Sequence, residues 1–326
     1  MPSTSTRYLG LRMKSPIILS SSKLTSTMNG IRRAADAGVG AVVLKSLFEE
    51  QIEADSAQSS DEVDYSIHPE AEEYVRQMGK HLGPDRYLKL IAEAKSSVDV
   101  PIIASVNCVT SRWWGDYGRQ IESAGADALE LNIAIMPRER EDAASVEDAY
   151  ADIVKRVRDR VSLPIAVKIG PYFTSLQPLL ERFHRAGATA AVLFNRFYQL
   201  DIDTENLELA GGYQLSAPEE IYTPLRWISI LSGDTPLELA GSTGVLTGDD
   251  VVKMLLAGAT GVQVCSTVYR NGYERIAEMN ATLESWMQRH GFTAVDEFRG
   301  RLSQAGSDAP EAYERLQYIK ALTGVS

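Results

Sequence analysis

Two lysines stand where strand-like apolar runs end. Lys45 follows AVVL (41–44) and Lys168 lies in PIAVKI (164–169), and neither run holds another charge. An ammonium in such a place either meets an anion or folds its stem back so that the head reaches water. Asn107, Asn132 and Asn195 come at the ends of comparable runs, and each amide offers both donors and an acceptor. Two cations and three amides around one opening would hydrogen-bond a flat ligand rich in oxygen and nitrogen. A fixed cation beside such a ring would stabilise negative charge as it forms. A strand-end lysine can also attack a carbonyl and form a Schiff base, so Lys168 leaves two chemistries open.

Small residues supply the second feature. Ser20-Ser21-Ser22 follows one apolar run, Ser46 follows Lys45, GSTG (241–244) follows LELA, and Cys265-Ser266-Thr267 follows GVQV. Turns of this kind bring backbone N–H groups close to a phosphate, and Gly244 comes just before a helix expected to begin near Thr247 to Asp250.

One local pattern recurs in the elements that must position these groups. AADAGVGAVVL (34–44), IESAGADALEL (121–131), FHRAGATAAVL (183–193) and LLAGATGVQV (255–264) each read as a helix stopped by Ala-Gly and followed by a buried strand. VDVPIIASV (98–106) and VSLPIAVKI (161–169) place Pro at the same junction. With Pro16 to Ser20 and LELAG (237–241) there are eight strands, near 17, 42, 103, 129, 166, 191, 238 and 262. Eight strands with helical crossovers imply an α/β fold of the (β/α)8 TIM-barrel type, with its site at the C-terminal strand ends. A dinucleotide fold would need a Gly-rich first turn, where this chain has Ser20-Ser21-Ser22-Lys23. The intervals 46–98 and 195–236 read as elaborated loops over that face, and 275–322 as C-terminal helices. No linker divides the chain, so residues 1–326 are expected to form a single domain.

Composition sets the outer limits. The 326 residues are 44% hydrophobic and 24% charged, values of an ordinary globular protein. A net charge of −11 argues against nucleic acid and anionic lipid as partners. No apolar run approaches the ~20 residues of a membrane span. The N-terminal residues lack the apolar core of a secretion signal, and Cys108 and Cys265 are the only cysteines, which fits a reducing, cytoplasmic setting. No metal is expected.

These strings together resemble the dihydroorotate dehydrogenases, and in particular a dihydroorotate dehydrogenase-like branch. The resemblance covers essentially the whole chain, through LGLRMKSPIILSSS, AGVGAVVLKSLFEEQIE, AGADALELNI, PIAVKIGPYF, VLFNRFYQLDID, GSTGVLTGDDVVKMLLAGATGVQV and GFTAVDEFRG. It implies an FMN-binding barrel that oxidises a cyclic dihydropyrimidine, or another small carboxylate, by hydride transfer to the flavin. Ser20, Ser21, Lys45, Ser46, Asn107, Asn132, Lys168, Phe194, Ser216 and Ala217 match flavin-contacting positions. Thr243, Gly244, Cys265, Ser266 and Thr267 match those that hold the FMN phosphate and ribityl chain. Asn132 and Asn195 match substrate contacts, and these two with Lys168 are the expected catalytic group. A homodimer is compatible with the resemblance.

The substrate half departs from the family. After the fourth strand the family reads Asn-x-Ser-Cys-Pro-Asn or a close variant, or places its base on a Ser of the covering loop. Here the sequence is Asn132-Ile133-Ala134-Ile135-Met136-Pro137, so Ile135 stands at the cysteine's position and cannot take a proton. The second Asn is also missing, and the usually Asn-rich substrate loop reads VRQMGKHLGPDRY (75–87). His68 and His81 on the long loop are outside candidates for the base. His184 reads as mid-helix, His290 as near a helix end, and Cys108 as a packing residue, so the general base is unassigned. Trp113, Trp114 and Tyr117 read as a helix packing face. Arg196 could clamp a substrate carboxylate or pair with Asp201 or Asp203. Two alternatives remain beside the oxidoreductase: a flavin-binding barrel without dihydroorotate activity, and a Schiff-base, phosphate-binding lyase using Lys168.

Overall fold

Each expected run becomes a strand of one closed barrel. In this computed structural model the described residues are 2–49, 51, 83–108, 114–135, 142–196, 199–212 and 214–324. The strands in chain order are β1 (Thr6–Tyr8), β2 (Leu11–Met13), β3 (Ile17–Leu19), β4 (Ala41–Val43), β5 (Leu47–Phe48), β6 (Ile102–Cys108) and β7 (Ala128–Ile133). They continue with β8 (Ile165–Ile169), β9 (Ala190–Leu193), β10 (Gln199–Asp203), β11 (Glu208–Gly212), β12 (Glu238–Ser242) and β13 (Gly261–Val264). Strands β3, β4, β6, β7, β8, β9, β12 and β13 pair in parallel in that order, and β13 pairs back to β3. This is the eight-stranded barrel expected from the sequence. At the four Ala-Gly junctions the glycines carry φ of 92° (Gly38), 95° (Gly125), 101° (Gly187) and 115° (Gly258), the left-handed turn that ends a helix.

The two long intervals are not loops throughout. The first contains the helix Pro84–Ser97, and the second contains the β10–β11 hairpin and the helix Tyr222–Leu231. Both helices are crossovers of the barrel. Their weaker signal has a physical cause, since each starts with a Pro within its first three residues and follows a polar stretch. Within 275–322 the expected helices are Glu274–His290 and Tyr313–Thr323. No helix among the described residues is long and apolar enough to cross a membrane.

Alternation along each strand makes two apolar layers. Leu129, Leu131 and Ile133 of β7 pack outward against the helices, whereas Ala128 faces inward with Ile18, Val43, Ile103, Ala166, Val192 and Ala240. By the same period of two, Glu130 and Asn132 continue the inward row of Ala128, and Lys168 continues that of Ala166. Tyr8, Leu9 and Met13 of the β1–β2 hairpin and its turn join the inner layer and close the barrel floor. The inner face therefore runs from an apolar floor to a polar mouth.

One buried hydrogen-bond pair repairs a gap in the sheet. β4 meets β6 at Ile103 and β5 meets it at Val106, which leaves Ser105 between them. Tyr87, on the helix Pro84–Ser97, fills that gap: its hydroxyl accepts from Ser105 N at 2.7 Å and donates to Ser105 O at 2.9 Å. Tyr87→Phe should lower unfolding stability by about 1 to 3 kcal/mol, because both backbone groups would be left buried and unpaired. An unchanged denaturation midpoint would mean that Ser105 finds another partner.

Candidate functional site

Lys168 leaves β8 inside the barrel and is 5% exposed. Its Nζ donates to Gln263 Oε1 at 2.6 Å and to Ser20 Oγ at 3.1 Å, and lies 3.8 Å from Glu130 Oε1. Gln263 Nε2 donates to Glu130 Oε2 at 2.5 Å. Glu130 and Gln263 were not among the expected site residues. The signal that could have found them is a polar residue at an inward position of the runs ALEL and GVQV, which are otherwise fully buried.

Two of the three amides lie on adjacent strands at one level. Asn107 pairs in register with Asn132, and Asn132 with Lys168. Asn195 Nδ2 donates to Asn132 Oδ1 at 2.9 Å, joining the end of β9 to that of β7. On the other side of the mouth Ser46 N donates to Ser21 Oγ at 2.8 Å, and Ser46 Oγ lies 3.0 Å from Ser21 Oγ and 2.8 Å from Ser105 Oγ. Lys45 is partly buried just past β4, where burial first and then the neighbouring Lys23 push its ammonium below the ordinary value.

The small-residue turns meet next to this group. Thr243 and Gly244 adopt φ of 80° and 75°, and Thr243 Oγ1 donates to Phe194 O at 3.2 Å. A Cβ at Gly244 would lie 2.2 Å from Ile221 N, so only glycine fits that turn. Thr247 caps the following helix, Gly248–Ala257, with Asp250 completing a capping box. Ser216 N donates to Ser266 Oγ at 3.0 Å, whereas Thr267 is fully buried and its Oγ1 donates to Leu246 O at 2.9 Å. Ala217 N donates to Glu220 Oε2 at 2.6 Å. Among the described residues the N–H groups of Gly244, Val245, Ser266 and Thr267 make no hydrogen bond.

An open cavity joins these parts. Of the expected residues, Ser20, Ser21, Lys168, Asn195, Ser216, Thr243, Gly244, Cys265 and Ser266 line it. Gln263, Ser242, Val245, Gln214 and Arg196 line it as well. Lys45, Ser46, Asn107, Asn132, Phe194, Ala217 and Thr267 lie outside this lining. Burial raises the Cys265 thiol above its ordinary value, opposed by a hydrogen bond with Ser22 and by Lys168.

Arg196 pairs with neither Asp201 nor Asp203. Its Nε donates to Glu220 Oε1 at 2.8 Å and its Nη1 to Gln214 O. Asp201 and Asp203 instead accept from backbone N–H groups of their own hairpin. Ile135 packs against the outer core, and its N–H donates to Tyr150 Oη at 3.1 Å. His184 is the penultimate residue of its helix, Leu176–Arg185, rather than mid-helix, and His290 lies against Trp286 with ring centroids 4.6 Å apart. Tyr117 is buried as a packing residue. His68, His81, Trp113, Met136 and Pro137 lie outside the described residues, as do the side chains of Cys108 and Trp114.

A family model described as "Dihydroorotate dehydrogenase" matches residues 3–287. Several curated proteins named "Dihydroorotate dehydrogenase B (NAD(+)), catalytic subunit" are similar over most of their length. The protein of Thermoplasma acidophilum is 25% identical over 305 residues, covering 92% of this chain and 99% of that protein. For Pyrococcus abyssi the identity is 27% over 301 residues, covering 89% and 96%. For Methanosarcina mazei it is 28% over 299 residues, covering 89% and 92%.

Proposed function

Since the chain belongs to the dihydroorotate dehydrogenase family, we propose that it is an FMN-dependent oxidoreductase acting on a CH–CH bond of a small cyclic substrate. That substrate is a dihydropyrimidine or a related carboxylate, and dihydroorotate itself is a poor one. The observation that carries this proposal is one cavity lined both by Lys168 and by Gly244, Val245 and Ser266, whose N–H groups have no partner among the described residues. Unpaired N–H groups beside small residues suit a phosphate, and a buried ammonium suits a ring that gains electrons. In this assignment residues 1–326 act as a single domain.

Bound FMN would supply the two-electron acceptor. Gly244, Val245 and Ser266 would hold its phosphate, with Thr243, Cys265 and Thr267 shaping the turns, and Ser20, Ser21 and Ser216 would contact the rest of the cofactor. Lys168, held by Ser20 and Gln263, would present its charge to the ring edge that becomes anionic. Lys45, Ser46, Asn107, Phe194 and Ala217 would complete the flavin's surroundings. Asn132 and Asn195, already hydrogen-bonded to each other, would orient the substrate. Ile135 offers no proton acceptor, so any base must come from elsewhere. A Schiff-base role is poorly served by a Lys168 Nζ that already donates to two oxygens.

The first test is colour: the purified protein should be yellow with stoichiometric FMN or should take up added FMN, and a colourless protein that binds none would end the proposal. Turnover assays across cyclic substrates separate an enzyme from a barrel that only holds flavin. Lys168→Ala should lower the bound flavin's reduction potential and slow its reduction more than it weakens FMN binding, because the charge matters most once the ring is anionic. An unchanged potential with intact binding would remove Lys168 from the mechanism.

A further inference from the structure

The role given to Lys168 leaves unexplained why a carboxylate lies beneath it. Glu130 is 1% exposed, and a charge so far from water is strongly disfavoured unless it is paired and hydrogen-bonded. Its Oε2 accepts from Gln263, but its Oε1 has no hydrogen bond among the described residues and lies 3.8 Å from Lys168 Nζ. Its flanking residues in the sheet are Ser105 and Ala166, neither of them a cation. On the floor side, burial and then the charges of Glu130 and Glu238 hold the Tyr8 phenol well above its ordinary value. Among the described residues Lys168 is thus the cation that faces Glu130.

A carboxylate can only accept, so Gln263 must turn its NH2 toward Glu130. Gln263 Oε1 is then left for Lys168 at 2.6 Å and for the Ser20 hydroxyl at 3.0 Å. With the amide reversed, the ammonium would face another donor. We propose that Glu130 is a positioning residue for Lys168, its buried counter-charge and, through Gln263, the group that fixes where the ammonium is held. No bond to substrate or cofactor is involved.

The redox consequence rests on the FMN assignment made above. While both charges are present, the carboxylate offsets part of the ammonium's field at the bound ring. Removing the carboxylate alone leaves the ammonium uncompensated, which favours added electrons. Glu130→Gln keeps the shape and can still accept from Gln263. The FMN-loaded variant should therefore show an upward shift in reduction potential, opposite in sign to that of Lys168→Ala. Glu130→Asp, which retains the charge, should shift less than Glu130→Gln. A Glu130→Gln potential that is unchanged or lower, or a Glu130→Asp shift as large as that of Glu130→Gln, overturns the proposal.

A second measurement needs no flavin. Infrared difference spectra of the wild-type protein against Glu130→Gln in mildly alkaline D2O should show no C=O stretch of a protonated carboxylic acid, because Glu130 is the carboxylate partner of an ammonium; the difference removes any band of Glu238, whose carboxyl burial pushes up. Such a band would mean a neutral Glu130 and would overturn the proposal even if the potentials could not be measured. Failure of the wild-type protein to take up FMN counts against the cofactor assignment alone and leaves the infrared result to decide the role of Glu130.

Discussion

Mixed rapidly with dihydroorotate, the FMN-loaded protein should lose its flavin absorbance ~10²- to 10⁴-fold more slowly than a family enzyme with a base at the position of Ile135. Dihydroorotate oxidation removes a proton from C5 as hydride leaves C6, and a positioned base typically contributes that factor to such a step. Ile135 is a hydrocarbon packed on the outer core, with its backbone N–H and carbonyl engaged by Tyr150. The described histidines give no substitute, since His184 is exposed on an outer helix and His290 lies against Trp286. The missing second Asn adds a binding defect, because polar atoms of the substrate would be left unpaired. Bleaching at an ordinary enzymatic rate, ~1 to 10³ per second, would show that another residue serves as base. His81→Ala would then be the first variant to make.

Gly244→Val should abolish flavin retention. The left-handed φ of 75° already disfavours a β-branched side chain, and its Cβ would lie 2.2 Å from Ile221 N and 2.7 Å from Glu220 C. These neighbours are backbone, so no side-chain rotation relieves the clash. The turn must move, and the N–H groups of Gly244 and Val245 move with it. Equilibrium dialysis against FMN measures the effect, with circular dichroism confirming that the barrel persists. Full retention of FMN would mean that the phosphate is held elsewhere.

The barrel was legible because its strands are buried on both faces and its helices end in residues with few conformational alternatives. Gly38, Gly125, Gly187 and Gly258 take a left-handed φ just past four helices, whereas Pro101 and Pro164 stand at the starts of strands, after helices that have already ended at Ser97 and Arg158. The position of Lys168, Ser20, Thr243 and Ser266 around one cavity followed from the rule that barrel sites lie at C-terminal strand ends. Less was visible where the determining contact is distant in sequence. Arg196 pairs with Glu220, across the β10–β11 hairpin, and the nearer Asp201 and Asp203 misled because proximity along the chain was the only guide. Glu130 and Gln263 were hidden for the opposite reason, since apolar runs invite attention to their ends rather than to a polar residue within them. The β1–β2 hairpin is three residues per strand, too short for periodicity to register.

That hairpin also constrains how the protein is made. Leu9 N donates to Glu238 Oε2, Ser15 Oγ to Asn280 Oδ1 at 2.6 Å, and Ser3 N to Thr293 O at 2.8 Å. Residues 3–15 are therefore made well before their partners at 238–293, by roughly 10 to 60 s at ~5–20 residues per second. During that interval Tyr8, Leu9 and Met13 have no barrel to fill and remain open to solvent or to a chaperone. A ribosome stalled before Glu238 would hold a floorless sheet whose β1–β2 hairpin is still unsheltered.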